Sequence, residues 1–332
     1  MLNKEAKLSD KIFKKDIEKT STRKGWGIGL AVAGELNENI VVLSSDVTGS
    51  TKADLFAEKF PERFIQVGVA EQALAGIASG IANYGKIPFT SAYAIFSPGR
   101  NWEQVRTTIA INNLPVKIGG GHAGLSDGGD GATHQALEDI ALMRVLPNMV
   151  VIVPSDAVET EKAVLAAATN GAPTYVRFER EETAVYTTND SPFEIGRAEI
   201  LWEDRDPKVA IVACGPLVYQ ALRAAKKLHA SKIASIVVNC HTLKPIDAQT
   251  IVHVAKLAEA VVTVENHQVS GGLGGAVAEL LAENLPIPME RIGMKDSFGE
   301  SGTPHELYQK YKMTADDIVQ AAKKVIKRKA RY

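Results

Sequence analysis

Short apolar runs rich in β-branched residues recur along the first half of the chain: IVVLSS at 40–45, IPFTSAYA at 87–94, PVKIGG at 115–120, MVVIVPSD at 149–156 and TYVRF at 174–178. They lack the polar alternation of strands with one wet face, so a sheet covered on both sides is expected. Between them lie segments with helical spacing of small and apolar residues, over 69–84 and 156–170. Strands alternating with helices predict a parallel sheet flanked by helices. Polar residues break the rhythm over 181–206, which reads as a linker or a crossing strand. The alternation then resumes with VAIVAC at 209–214, IASIVVN at 233–239 and VVTVE at 261–265, and ends in an amphipathic segment over 314–326. The expected fold is α/β, with two doubly wound domains: 1–190, and a smaller one over 191–332.

The length of 332 residues suits two cores, because single cores stop growing near about 250 to 300 residues. With 45% hydrophobic and 23% charged residues and a net charge of -1, the composition is that of an ordinary globular protein. It carries no global field to attract nucleic acid or an anionic membrane. Cys214 and Cys240 sit in apolar stretches without CxxC spacing, which predicts buried, reduced thiols in a cytoplasmic setting. The N-terminal stretch alternates charged and apolar residues, unlike a secretory signal, and no apolar run approaches the roughly 20 residues of a membrane span. The basic end, with Lys323, Lys324, Lys327, Arg328, Lys329 and Arg331, reads as a solvated helix terminus complementing its own dipole rather than a polyanion site.

In open α/β sheets ligands bind beyond the carboxyl ends of the strands. The loops expected there are polar: Ser45, Asp46, Thr48 and Ser50 after one strand, 122–134 after another, Ser155 and Asp156 after a third, Arg177 and Arg180 after a fourth. Neither Gly25-Trp-Gly-Ile-Gly29 nor Gly271-Gly-Leu-Gly-Gly275 completes GxGxxG, and there is no Walker lysine loop or GxSxG elbow. Those glycines read as packing positions of helix on strand. Glu71 opens a helical segment, where the dipole alone favours an acid. A carboxyl placed among Val69, Ala70, Ala73 and Leu74 is also a candidate to share or donate a proton. The loop GHAGLSDGGDGATHQ at 121–135 offers two imidazoles and two carboxylates on flexible chain. It can wrap a small polar molecule, cap a helix beginning near Gln135 through Thr133 and His134, or hold a metal through His122, Asp130 and His134. Spacing leaves these three open.

Taken in order, Arg23 in Thr-Arg-Lys, Asp46 to Ser50, Gly68 to Gln72, PFTSAYAIF at 88–96, His122 to Gln135, VPSD at 153–156, VENH at 264–267 and DSFGESG at 296–302 resemble a transketolase over nearly all of 20–325. The resemblance is to the C-terminal half, a pyrimidine-binding domain followed by a C-terminal domain. The Gly129-Asp-Gly131 run lies where that family has its substrate loop, and Asn148 and Asn170 do not stand at the spacing of the family's metal motif. The resemblance therefore implies no metal ligand in this chain. It implies thiamine diphosphate held between this chain and a separate N-terminal transketolase subunit carrying the diphosphate and Mg2+ or Ca2+. Two copies of the chain would pair within an α2β2 assembly. The β subunit of a 2-oxo-acid dehydrogenase generally lacks the DGxTHQ run, and deoxyxylulose-phosphate synthase tends to carry arginine where His122 stands. Both stay as alternatives, as does a non-catalytic regulatory subunit.

Carried over residue by residue, Glu71 corresponds to the glutamate that hydrogen-bonds the cofactor's aminopyrimidine and favours its imino tautomer. Tyr93 and Phe96 would flank that ring, and Asp46 and Val47 would lie against the cofactor's middle. Asp130 would accept from the sugar hydroxyl beside the carbonyl, while His134 and His122 would contact the carbonyl region and the phosphate end. Arg23, Ser50 and Arg180 would clamp the phosphate, with Arg177 the rival of Arg180. The implied activity is transfer of a two-carbon ketol unit from a ketose phosphate to an aldose phosphate, with Glu71, His122 and His134 as catalytic groups. The second domain is assigned no chemistry, and His267 reads as a satisfied or interfacial histidine.

Overall fold

The computed structural model describes residues 1–329, so Arg331 of the basic end lies outside the described residues. Seven strands form the first sheet, in the order Thr242–Lys244, Val150–Ile152, Thr174–Arg177, Lys117–Gly121, Ile87–Tyr93, Ile40–Ser44 and Phe64–Gln66. All are parallel except Thr242–Lys244. The five predicted runs are its five inner strands, as expected for segments buried on both faces. The second sheet runs Met289–Met294, Val261–Gln268, Val209–Ala213, Ser235–Asn239, Glu199–Glu203, with only the last antiparallel. The polar stretch over 181–206 holds two crossing strands: Glu182–Ala184 pairs with Lys19–Ser21, and Glu199–Glu203 closes the second sheet.

Two segments cross the division expected at 190. The N-terminal residues lie on the second domain, where the Asn3 amide donates to Leu201 O at 2.9 Å and Ile12 and Ile17 enter a core with Trp202 and Leu217. In the other direction, Thr242–Lys244 leaves the second domain and extends the edge of the first sheet.

The glycines of the helix Thr22–Leu36 serve close approach, but of helix on helix rather than helix on strand: a Cβ at Gly25 would lie 2.1 Å from Ala157 O, at the start of the helix Ala157–Thr169. In the central strand, a Cβ at Gly119 would meet Trp26 at 2.3 Å. The Trp26 ring is fixed there, stacked on Phe178 at 4.8 Å with its Nε1 donating to Ser91 Oγ at 3.1 Å. Gly119→Ala is therefore expected to cost about 1–3 kcal/mol through overpacking. A lowered urea midpoint checks this, and an unchanged one contradicts it.

A buried charge cluster ties the two domains together. Arg177 donates to Asp139 Oδ2 at 2.8 Å, to Glu179 Oε1 at 3.1 Å, and to the carbonyls of Ala136 and Asn266. The VENH motif of the second domain is spent on structure: Glu265 accepts from the amides of Leu273 and Gly274 at a helix start, and Asn266 Oδ1 accepts from the Leu125 amide. His267 is fully buried, with Nδ1 2.7 Å from Gln268 O.

Candidate functional site

The parallel strands Ile40–Ser44, Ile87–Tyr93 and Lys117–Gly121 end at one edge of the first sheet, and the loops that follow them build the site. Glu71 is the first residue of the helix Glu71–Asn83 and is 3% exposed. Its surroundings are not the apolar nest expected: Val69 is 73% exposed, and Glu71 Oε2 accepts from Arg100 at 2.7 Å. Asn101 Nδ2 secures the Glu71 carbonyl at 2.9 Å. Sequence reasoning missed both partners, because nothing in the pattern of 97–105 says that this turn returns to a helix start 29 residues earlier.

Arg100 also lies over the Phe96 ring, 4.7 Å from its centroid. Phe96 runs nearly parallel to Tyr93, at 6.2 Å and 12°, and Tyr93 stacks on His122 at 3.9 Å. His134 meets Phe96 edge-on at 5.4 Å. The two aromatic residues and the two histidines thus form one surface, joined to Glu71 through Arg100.

His122 follows the strand Lys117–Gly121 in a left-handed conformation, φ 55°, and is 1% exposed with Nδ1 unpartnered. Burial, reinforced by Arg23, Arg180 and His134, pushes the imidazole down to about 3. It is therefore neutral at ordinary pH. Because 6.5 is its unperturbed value, falling pH protonates the unfolded chain first; this contribution to stability is present above about 6.5 and is lost progressively toward about 3. The His122 ring signals in NMR are expected to stay flat from about pH 8 to 5; a midpoint near the unperturbed value contradicts the burial argument.

The loop after His122 is a tight turn, Gly124–Asp130, and the next helix begins only at Asp139. Left-handed Gly128 and Gly131 carry the chain outward first, so Thr133 and His134 cap no helix at Gln135. They pair with each other instead, Thr133 Oγ1 lying 2.9 Å from His134 Nδ1. Asp130 is exposed and accepts from Arg180 at 3.2 Å, and the same Arg180 nitrogen lies 3.4 Å from the buried Asp127. Asp127, which sequence reasoning left unassigned, is pushed up by burial and by Asp130. Of the two rival arginines, Arg180 faces this loop and Arg177 is enclosed among its own acceptors. Arg23 donates to Ser50 O at 3.1 Å, and its charge is felt at His122 alongside that of Arg180.

On the remaining side, Asp46 is exposed in a left-handed turn, φ 62°, and Val47 is half-buried just before the short helix Thr48–Thr51. Gln66 Oε1 accepts from the amides of Asp46 at 2.7 Å and Gly68 at 3.3 Å. Gln66 thereby links this turn to the approach to Glu71. Among the described residues, no group of three or more His, Cys, Asp or Glu side chains is placed to hold a metal.

A sheet of this topology, with an acid at a helix start, an aromatic shelf and a His–Asp–Arg loop beyond the strand ends, agrees with comparisons to known proteins. The family described as transketolase, pyrimidine binding domain, matches residues 18–185, and transketolase, C-terminal domain, matches 196–318. The chain belongs to the transketolase family. Within it, the chain corresponds to the C-terminal section of a split transketolase. A Methanocaldococcus jannaschii protein described as a transketolase C-terminal section is 45% identical over 299 residues, covering 89% of this chain and 93% of that one. A 6-deoxy-6-sulfo-D-fructose transketolase subunit of a Clostridium species is 38% identical, covering 88% and 90%. A solved split-gene transketolase, an inactive beta4 tetramer, is 47% identical with a TM-score of 0.87, covering 93% of this chain and 99% of that one. Against the transketolase of Rattus norvegicus, 35% identical, the chain spans 49% of the relative's length.

Proposed function

We propose that this chain supplies the pyrimidine side of a thiamine diphosphate site and most of a sugar-phosphate site. A separate N-terminal subunit would hold the diphosphate through Mg2+ or Ca2+. The observation that carries this reading is the buried Glu71 carboxylate at a helix start, joined through one side chain to the face of Phe96. A planar amino-heterocycle requires a hydrogen-bond acceptor and an aromatic face, and this chain offers both. Asp46 and Val47 would lie beside the cofactor's middle, with Tyr93 and Phe96 beside its ring. When bound, the cofactor supplies the electron sink for making and breaking the carbon–carbon bond.

The chain's own residues would do the remaining work in transferring a two-carbon ketol unit from a ketose phosphate to an aldose phosphate. Glu71 holds the proton at the ring nitrogen. His122 is neutral, with its buried Nδ1 free, and acts as a hydrogen-bonding imidazole at the sugar's oxygens, while His134 moves protons there. Asp130 accepts from a sugar hydroxyl, and Arg23, Ser50 and Arg180 hold the phosphate end. Pairing of two copies within an α2β2 assembly is part of the same proposal. It is supported by the outer side of the helix Glu71–Asn83, where Ala73, Gly76, Ile77 and Gly80 are exposed and Tyr84, just beyond, is 92% exposed. A cytoplasmic setting fits Cys214 and Cys240, both buried and free.

The test is co-purification with the N-terminal subunit and assay with xylulose 5-phosphate and ribose 5-phosphate in thiamine diphosphate and magnesium. Pyruvate and a 6-sulfo ketose, the substrate type named for one relative, are run beside them. Preference for the ketose phosphate is expected. Preference for pyruvate overturns the reading in favour of a 2-oxo-acid dehydrogenase β subunit.

A further inference from the structure

Arg100 holds two positions at once. It donates to Glu71 Oε2 at 2.7 Å and lies 4.7 Å from the Phe96 centroid. Those are the acceptor and the aromatic face assigned above to the cofactor's aminopyrimidine. A guanidinium is planar, delocalised and rich in N–H donors, so it satisfies the same two partners as a planar amino-heterocycle. Both cannot occupy them together.

The way Arg100 is held fits a group that leaves. Its side chain is 49% exposed, and among the described residues its guanidinium has Glu71 as its sole polar partner. Arg177, by contrast, is enclosed and donates to four acceptors. A half-exposed ion pair is weak and readily exchanged for water. The backbone at Glu71 is held separately, since Asn101 donates to its carbonyl at 2.9 Å independently of Arg100.

Resting on the thiamine diphosphate reading, we propose that Arg100 is a positioning residue that acts through Glu71: it occupies the ring subsite as an internal stand-in for the aminopyrimidine and swings into solvent when the ring binds. Its pairing satisfies the buried carboxylate until then. Cofactor affinity is correspondingly reduced by the fraction of molecules in which Arg100 is docked.

The probe is 4-amino-5-hydroxymethyl-2-methylpyrimidine, the free ring, titrated by NMR into the full chain without a partner subunit. Arg100→Gln is expected to bind it about tenfold more tightly than the unaltered chain, as follows if Arg100 is docked in about nine molecules of ten. Arg100→Lys, which keeps the charge but not the planar fork, also binds more tightly. Guanidinium chloride at sub-denaturing concentration should weaken binding to Arg100→Gln back toward the unaltered value, a competition that a merely structural role would not produce. Circular dichroism and thermal melts establish that each variant is folded. If Arg100→Gln binds no more tightly while Glu71→Gln weakens binding, the stand-in role is overturned and the thiamine diphosphate reading survives. If Glu71→Gln made in the Arg100→Gln background binds the ring as tightly as Arg100→Gln alone, or the ring binds none of these chains, both are overturned.

Discussion

Replacing Glu71 by alanine is expected to lower ketol transfer in the reconstituted enzyme by about two to four orders of magnitude, the range of a lost proton-transfer group. Little loss of stability should accompany it. The carboxylate is buried, but its ionic partner Arg100 is half-exposed and can hydrate once released. The helix Glu71–Asn83 keeps its start, because Asn101 grips the backbone carbonyl and not the side chain. The measurement is kcat in the two-chain mixture together with a thermal melt of the variant. Near-normal turnover in a folded variant would remove Glu71 from the chemistry.

The second large effect falls on stability. Arg177→Met leaves Asp139 and Glu179 buried between the domains with no counter-charge, and removal of one partner of a buried pair costs about 3–5 kcal/mol. Burial opposes the charged form of Asp139, yet Arg177 holds that carboxyl below its ordinary range. Loss of the guanidinium also removes its hydrogen bond to the carbonyl of Asn266 across the interface, whereas the Ala136 carbonyl keeps the Gly124 amide at 2.8 Å. The urea midpoint should fall accordingly. Arg180→Met should do the opposite: its half-exposed side chain contributes little to stability, so unfolding is unchanged while KM for the ketose phosphate rises. Equal stability losses in the two variants would contradict the division of labour between them.

The strands that the sequence disclosed are those buried on both faces, where an unbroken apolar run is obligatory. The two edge strands, Phe64–Gln66 and Thr242–Lys244, have three residues each and left no such pattern. Nor could alternation show that the N-terminal residues fold onto the second domain, since that packing depends on only a few apolar side chains such as Ile12 and Ile17. Within the candidate site, Glu71, His122, Asp130 and His134 could be proposed from the sequence because they sit in contiguous motifs. Arg100, Asn101 and Asp127 were not, because their roles arise from chain returning in space. Arg177 and Arg180 show the same limit: three residues apart and alike in type, they were separable only once the strand Thr174–Arg177 was seen to end at the first of them.

Ketol transfer from xylulose 5-phosphate to ribose 5-phosphate, measured with this chain alone, with its N-terminal partner alone and with the two mixed in thiamine diphosphate and magnesium, tests the shared site most directly. Activity only in the mixture, and its collapse when Glu71 is replaced, is the expected result. Equal activity from the partner without this chain would contradict it.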